Sequence, residues 1–249
     1  LAALLGVRGD LGRMITGLTA DSRKVRPGDL FAALPGSQND GRHFIDDAIA
    51  RGAVAILAPA DHASPAQSVA GDRAGVSFLS SSQPQRRFAQ MAAAFYGAQP
   101  ENIMCITGTN GKSSVASFCR QLWQALDMRG ASIGTLGVES ESLNRPGGLT
   151  SPDPVSLHET LHDLAAHGIT HVACEASSHG LAQYRLDGLR PNIAAFTNLS
   201  RDHLDYHHNM EAYFHAKARL FSELLTADGV AVIWADSPAG QRMIDLAKG

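Results

Sequence analysis

Cysteine is scarce, and the little there is shows no pairing pattern. Cys105, Cys119 and Cys174 form no CxxC unit and sit in apolar stretches. That excludes a disulfide framework and predicts free thiols in a reducing cytosol. There is no block of basic residues, and the net charge is −3, so nothing points to nucleic acid as a partner. No apolar run is long enough for a bilayer; the run at 53–59 is typical, and membrane insertion is not expected. Residues 1–6 lack the charged start and cleavage site of a secretory leader, so none is expected. What remains is an ordinary globular composition over 249 residues, enough for one large or two ordinary domains.

The most informative stretch is 103–115. An apolar run leads into Gly108-Thr109-Asn110-Gly111, which delivers Lys112, Ser113 and Ser114 onto the start of a helix. Strand, glycine loop, lysine and hydroxyl in that order suit a polyphosphate. Glycines let backbone N–H groups close around phosphate oxygens, and a helix N-terminus adds partial positive charge. Lys112 can bridge the outer phosphates and Ser113 can ligate Mg²⁺. The common phosphate loop has one more glycine five positions before Gly111, where this chain has Ile106. A plain strand-to-helix turn with a surface lysine is the bland alternative. The flanking strand and helix favour phosphate. Val115, Phe118, Cys119, Leu122 and Leu126 recur at helical spacing, and Gly130 is expected to close that helix.

Before this loop the chain reads as a small α/β domain. Residues 16–34 give a strand, a turn at Arg26-Pro27-Gly28-Asp29 and a second strand, followed by a polar loop at 35–41. A helical stripe of Phe44, Ile45, Ala48 and Ile49 ends at Gly52, and a strand is expected at 53–58. Residues 60–75 read as a surface loop, 75–79 as a strand, and Pro84 opens a helix with Phe88, Met91, Ala92 and Phe95 on its buried face. The break at Gly97-Ala98-Gln99-Pro100 places the domain boundary between 98 and 99. The second domain, 99–249, alternates strands at 102–107, 131–138, 170–175, 192–197 and 229–235 with helices at 112–127, 154–167 and 210–225. This is the pattern of a parallel sheet with helices on both faces. Ligands in such sheets bind at the carboxyl ends of the strands, so the residues that follow each strand carry the information.

Leu149-Thr150-Ser151-Pro152-Asp153-Pro154 holds a helix start at Asp153 and Pro154, which leaves Thr150 and Ser151 as candidate ligand hydroxyls. The strand at 170–175 ends on Glu175. A strand-end carboxylate costs free energy unless it meets a cation, either a salt-bridge partner or, beside a phosphate loop, Mg²⁺. Gln183 and Arg185 follow, and arginine suits a carboxylate or phosphate. His203 and His207 have zinc-helix spacing, but Leu204 stands where a zinc protease has glutamate. His203 fits a Mg²⁺ or Mn²⁺ ligand or a phosphate contact, and His207 fits a structural role equally well. Lys217 lies in the middle of the apolar face of Tyr213, Phe214, Leu220, Phe221 and Leu224. There it must snorkel, find a partner or lose its charge.

Together, Gly108–Ser113, Glu175-Ala176-Ser177-Ser178-His179-Gly180, 197–207 and Lys217 resemble the Mur ligases, most closely the branch that adds the third amino acid. Folylpolyglutamate synthetases share the general plan. Asp21-Ser22-Arg23 with Pro27-Gly28-Asp29-Leu30-Phe31 resembles that family's nucleotide-sugar domain. The resemblance implies a small α/β substrate domain, then a parallel-sheet ATPase domain that stops short at Gly249. It also implies a fragment unable to complete ligation alone. The implied reaction joins UDP-MurNAc-L-Ala-D-Glu to an amino acid, meso-diaminopimelate or L-lysine, through an acyl phosphate made from ATP in the cytoplasm. Gly108, Thr109, Asn110, Gly111, Lys112, Ser113 and Ser114 would bind ATP. Ser113 and Glu175 would hold one Mg²⁺; His203 and a carbamylated Lys217 would hold the other. Lys112, His203 and Lys217 would be the catalytic set. Ala20, Ser22, Ser37, Gln38 and Asn39 would contact the UDP-sugar, and Thr150, Ser151, Ser177, Gln183 and Arg185 the muramoyl-dipeptide. A non-catalytic UDP-sugar sensor is the competing class, and a GTPase or kinase lacks its Asn-Lys-x-Asp or catalytic-loop signature.

Overall fold

The structure is a computed structural model that describes residues 14–36, 39–60 and 75–247. Two compact units divide the chain, Leu1–Phe95 and Tyr96–Gly249. In the first, β1 (Gly17–Thr19), β2 (Asp29–Ala32), β3 (Ala55–Pro59) and β4 (Ser77–Ser81) form a sheet in chain order, parallel throughout. The two strands read over 16–34 therefore pair side by side in the same direction, joined through a 3₁₀ turn at Ser22–Lys24 that Asp21 caps. β2 and β3 are buried along their whole length, which is why 30–32 and 55–59 read as apolar runs; Asp29, at the buried start of β2, accepts from Arg26 N–H at 2.8 Å. α1 (Ile45–Ala50) connects β2 to β3. α2 (Pro84–Tyr96) buries Phe88, Met91 and Ala92 as its spacing predicts, with Phe95 only partly covered. Most of the loop read at 60–75 lies outside the described residues.

The second unit is built from β5 (Asn102–Thr107), α3 (Lys112–Ala125), β6 (Gly130–Gly134), β7 (Gly137–Ser140), β8 (Arg145–Pro146), α4 (Pro154–Ala166), β9 (His171–Glu175), α5 (Ser178–Ala182), β10 (Ile193–Phe196), α6 (Leu204–His207), α7 (Met210–Arg219), β11 (Val230–Ile233) and α8 (Pro238–Ala247). Its sheet runs β11-β10-β5-β9-β6-β7-β8. The first five of those strands are parallel, and β7 and β8 add an antiparallel edge. The single strand expected at 131–138 is thus two strands. Thr135 and Leu136 turn the chain back, and Gly134 pairs with Gly137 across the turn. The larger core packs α4, α7 and α8 against one sheet face; on the other, α3 covers Ile106, Ala173 and Ala195.

α3 departs from its expected packing. Its buried ridge is Ala116 with Val115, Cys119 and Trp123, whereas Phe118, Leu122 and Leu126 stand 61%, 62% and 68% exposed. The helix also ends earlier than expected. Leu126 caps it and Asp127 takes a left-handed φ of 56°, so Gly130 opens β6 instead of closing α3. The helix expected at 210–225 is regular only to Arg219 and finishes as a π turn, Leu220–Leu224.

Candidate active site

β5, β9 and β10 are adjacent and parallel, so the segments after Thr107, Glu175 and Phe196 emerge together at one sheet edge. The glycine loop after β5 is shaped from outside by the segment after β10. Thr109 N–H donates to Asn198 O at 2.9 Å, and Asn110 N–H to Asn198 Oδ1 at 3.0 Å. Thr197 Oγ1 and Asn198 Nδ2 both donate to Asn110 O, at 2.7 and 3.1 Å. Gly108 has φ 144°, and a Cβ there would lie 1.9 Å from Thr197 Oγ1, so no other residue fits. Gly111 stands at the N-cap of α3 with no side chain to satisfy the first helical N–H groups. By contrast, Asp153, Ser177 and Asn209 cap α4, α5 and α7. An uncapped helix start behind a glycine loop leaves its donors for an anion.

Glu175 is buried at the end of β9, and Ser113 Oγ donates to its Oε1 at 2.9 Å. Thr135 N–H donates to the same oxygen at 2.9 Å. The carboxylate lies so close over Gly134 that a Cβ there would meet Oε1 at 2.0 Å. This is a hydroxyl–carboxylate pair of hard oxygens beside the glycine loop, chemistry that suits a hard divalent cation such as Mg²⁺. Among the described residues no three His, Cys, Asp or Glu side chains converge as a protein-only metal cage.

Lys217 does not snorkel. It is 1% exposed, and its Nζ donates to Gly108 O at 2.8 Å and lies 4.4 Å over the Tyr213 ring. Burial, then the positive charge of Lys112, lowers its pKa to about 7. Lys112 Nζ donates to the carbonyls of Gly108 and Thr109, at 3.0 and 2.9 Å, so both lysines share the Gly108 oxygen. Burial lowers the Lys112 pKa as well. His203 is half exposed in a left-handed conformation, with Nε2 3.5 Å from Asp202. His203 and His207 both face Tyr213, with ring centroids 6.2 and 5.1 Å away, and His179 packs against both imidazoles. His207 is buried, with no hydrogen-bond partner for its Nε2 among the described residues, and burial together with its charged neighbours lowers its pKa to about 4.

The remaining residues of the second unit join this centre through hydrogen bonds. Thr150 Oγ1 meets Thr135 Oγ1 at 2.9 Å. Ser151 is fully buried; its hydroxyl donates to Glu175 O at 3.1 Å and meets Ser177 Oγ at 3.0 Å, so it supports Glu175 from beneath. Arg185 donates to Ser151 O at 2.9 Å and to Gln183 Oε1 at 2.5 Å, and Gln183 donates to Tyr206 OH at 3.1 Å. In the first unit Ala20 and Ser22 follow β1, and Asn39 lies in the loop after the neighbouring β2. Both segments thus lie beyond the carboxyl ends of adjacent parallel strands. Ser37 and Gln38 lie outside the described residues. Sequence reasoning assigned no role to Thr135, Thr197, Asn198 or Tyr213. The first three follow strand ends, which was the available signal, and Tyr213 was hidden by its place in an apolar stripe.

Fold and site together define an α/β protein in which a glycine loop, a Ser113–Glu175 pair and two buried or half-buried lysines gather at the carboxyl ends of parallel strands. The Mur ligase middle domain matches residues 106–249, and the family's catalytic-domain model matches 14–96. The chain belongs to the Mur ligase family. It is 51% identical over 234 residues to the UDP-N-acetylmuramoyl-L-alanyl-D-glutamate–2,6-diaminopimelate ligase of Bradyrhizobium diazoefficiens, covering 94% of this chain and 46% of that one. The ligase of the same name from Rhizobium meliloti is 49% identical, with 97% and 48% covered. A solved structure under that name superposes with TM-score 0.79 at 34% identity, over 94% of this chain and 46% of that one. MurF of Thermotoga maritima, with TM-score 0.57 and 20% identity over 92% of this chain and 48% of that one, shares the fold. The chain spans about half the length of the curated relatives it matches.

Proposed function

We propose that the chain carries the phosphate-transfer and dipeptide-holding part of an ATP-dependent ligase of peptidoglycan precursor synthesis. Its substrates would be UDP-N-acetylmuramoyl-L-alanyl-D-glutamate and 2,6-diaminopimelate. The relatives' names support diaminopimelate over L-lysine, and three free thiols agree with a cytoplasmic setting. The γ-phosphoryl group of ATP passes to the substrate carboxylate, giving an acyl phosphate and ADP. The incoming amine then attacks the acyl carbon, phosphate leaves, the amine loses a proton and an amide remains. The glycine loop and the start of α3 hold the phosphates, and Lys112 leaves its loop carbonyls to reach them. Ser113 and Glu175 would hold one Mg²⁺; His203 and a carbamylated Lys217 would hold the second. The ions supply neutralisation of the charge on the transferring group. Thr150, Ser177, Gln183 and Arg185 would orient the muramoyl-dipeptide, with Ser151 bracing them, and Ala20, Ser22 and the 37–39 loop would take the UDP-sugar.

The observation that carries this reading is the Ser113–Glu175 bond at the mouth of the glycine loop. Calorimetry of ADP binding with and without Mg²⁺ tests it. Mg²⁺ should tighten binding to this chain, and Glu175→Gln should remove roughly tenfold of that gain, the scale of one charge-assisted contact. ADP binding indifferent both to Mg²⁺ and to Glu175→Gln would sink the proposal.

A further inference from the structure

Arg185 lies just past the five-residue helix α5, in a turn that folds back on that helix: Tyr184 N–H donates to Leu181 O at 3.1 Å and Arg185 N–H to Gly180 O at 2.9 Å. Its neighbour Tyr184 has a left-handed φ of 57°, a conformation that needs support from its surroundings. Beside those backbone bonds, one guanidinium supports it from the side-chain face. Arg219, two residues beyond Lys217 on α7, donates Nη2 to both carboxylate oxygens of Asp187, each at 3.1 Å. Its Nη1 donates to Leu181 O, and its plane lies 4.2 Å over the Tyr184 ring. Glu223, one turn further along, accepts from Nε at 3.0 Å and Nη2 at 3.1 Å and fixes the fork from the other side. Asp187 is 1% exposed. A single side chain therefore grips positions 181, 184 and 187, on both sides of Arg185.

We propose that Arg219 is a positioning residue for substrate. It ties the helix that carries Lys217 to the loop that carries Gln183 and Arg185, and so fixes the direction in which Arg185 meets an anionic group. This rests on the reading above that Arg185 contacts the muramoyl-dipeptide. A buried ion pair is a poor device for stability alone, because a well-packed apolar pair of the same volume often does as well. What the planar fork adds is direction: it holds a carboxylate, a carbonyl and a ring face at once. A lysine ammonium cannot do this.

The test measures binding of UDP-N-acetylmuramoyl-L-alanyl-D-glutamate and, separately, of Mg-ADP to this chain and to Arg219→Lys, Arg185→Ala and the double variant. Arg219→Lys should weaken the muramoyl nucleotide about tenfold, within the range for coupled contact networks, and leave Mg-ADP unchanged. The double variant should bind no more weakly than Arg185→Ala alone, because Arg219 acts through Arg185. Additive losses, or equal losses for both ligands, would mean a merely structural ion pair and overturn the proposal. If Arg185→Ala weakens binding and Arg219→Lys does not, the proposal alone fails. If Arg185→Ala itself has no effect, the substrate reading fails and takes the proposal with it. Should Arg219→Lys not fold, Asp187→Asn, which keeps the shape and one acceptor, carries the same expectations.

Discussion

At pH 7 an exposed lysine is almost wholly protonated, and only a neutral amine adds carbon dioxide. Lys217 is different because its ammonium is buried on an aromatic face with one carbonyl acceptor and a second lysine nearby. With a pKa lowered to about 7, roughly half the side chains are neutral amines at neutral pH, against fewer than one in a thousand for an ordinary lysine. Carbamylation would then trade a poorly tolerated cation for an anion beside the Mg²⁺ proposed here. Labelled bicarbonate should give a carbamate signal in carbon NMR that grows as pH rises through about 7 and is absent in Lys217→Arg. A signal unchanged by that substitution, or none at any pH, would remove Lys217 from the proposed metal set. This residue was legible in sequence as an anomaly, a charge in an apolar stripe. The carbonyl that receives it, 109 positions away, was not.

Among the elements, α3 shows how far periodicity carries. Its sequence holds two apolar ridges, and helical spacing alone does not say which one packs. The sheet beneath decides. Ala173 and Ala195 leave room for a close helix, so Ala116 goes inward with Val115 and Cys119; Trp123, the one large side chain of that ridge, finds its space over Gly130, and Phe118, Leu122 and Leu126 stay out. Parallel strands with small residues at the contact were readable only once strand order was known. Strand order depends on pairings such as Ala195 with Ile106, far apart in the chain. The hairpin at 134–137 was missed for a related reason. Gly134 and Gly137 lie inside a run that reads as one strand, and Gly134 is demanded by Glu175 overhead, a contact no local pattern encodes. The loop, the strand ends and the order of elements were legible because each is written in consecutive residues. Both tryptophans, Trp123 and Trp234, lie in the second unit, so their fluorescence follows its unfolding. Leu122→Gln should change that unfolding free energy by less than about 0.5 kcal/mol, as an exposed substitution does. Ala116→Leu should cost about 1–3 kcal/mol by overpacking. The reverse ranking would mean that the outer ridge, not the inner one, holds the helix.

For the molecule as a whole, acid stability should turn on a buried histidine to which the proposed function gives no role. His158 on α4 is 1% exposed; its Nε2 lies 3.5 Å from Asp187 O, and its Nδ1 has no hydrogen-bond partner among the described residues. Burial lowers its pKa to about 4, from an ordinary value of 6.5. Between those two values the unfolded chain binds a proton that the folded chain refuses. Stability contributed by the neutral ring is therefore complete above pH 6.5, falls as pH drops, and is gone below about 4. A shift of that size corresponds to about 3 kcal/mol at full extent. His207 works in the same direction, so the wild-type slope alone does not isolate one residue. The difference between wild type and His158→Gln does. Denaturant unfolding, followed by tryptophan fluorescence, should show wild type losing stability faster than the variant from pH 6.5 to 4, with parallel curves above pH 7. The variant starts lower at neutral pH, because an amide fills the imidazole's place imperfectly, so the diagnostic quantity is the slope and not the offset. Equal slopes would show that His158 takes up its proton in the fold as readily as in the open chain. Its burial against the Asp187 carbonyl would then not govern the second unit's response to acid.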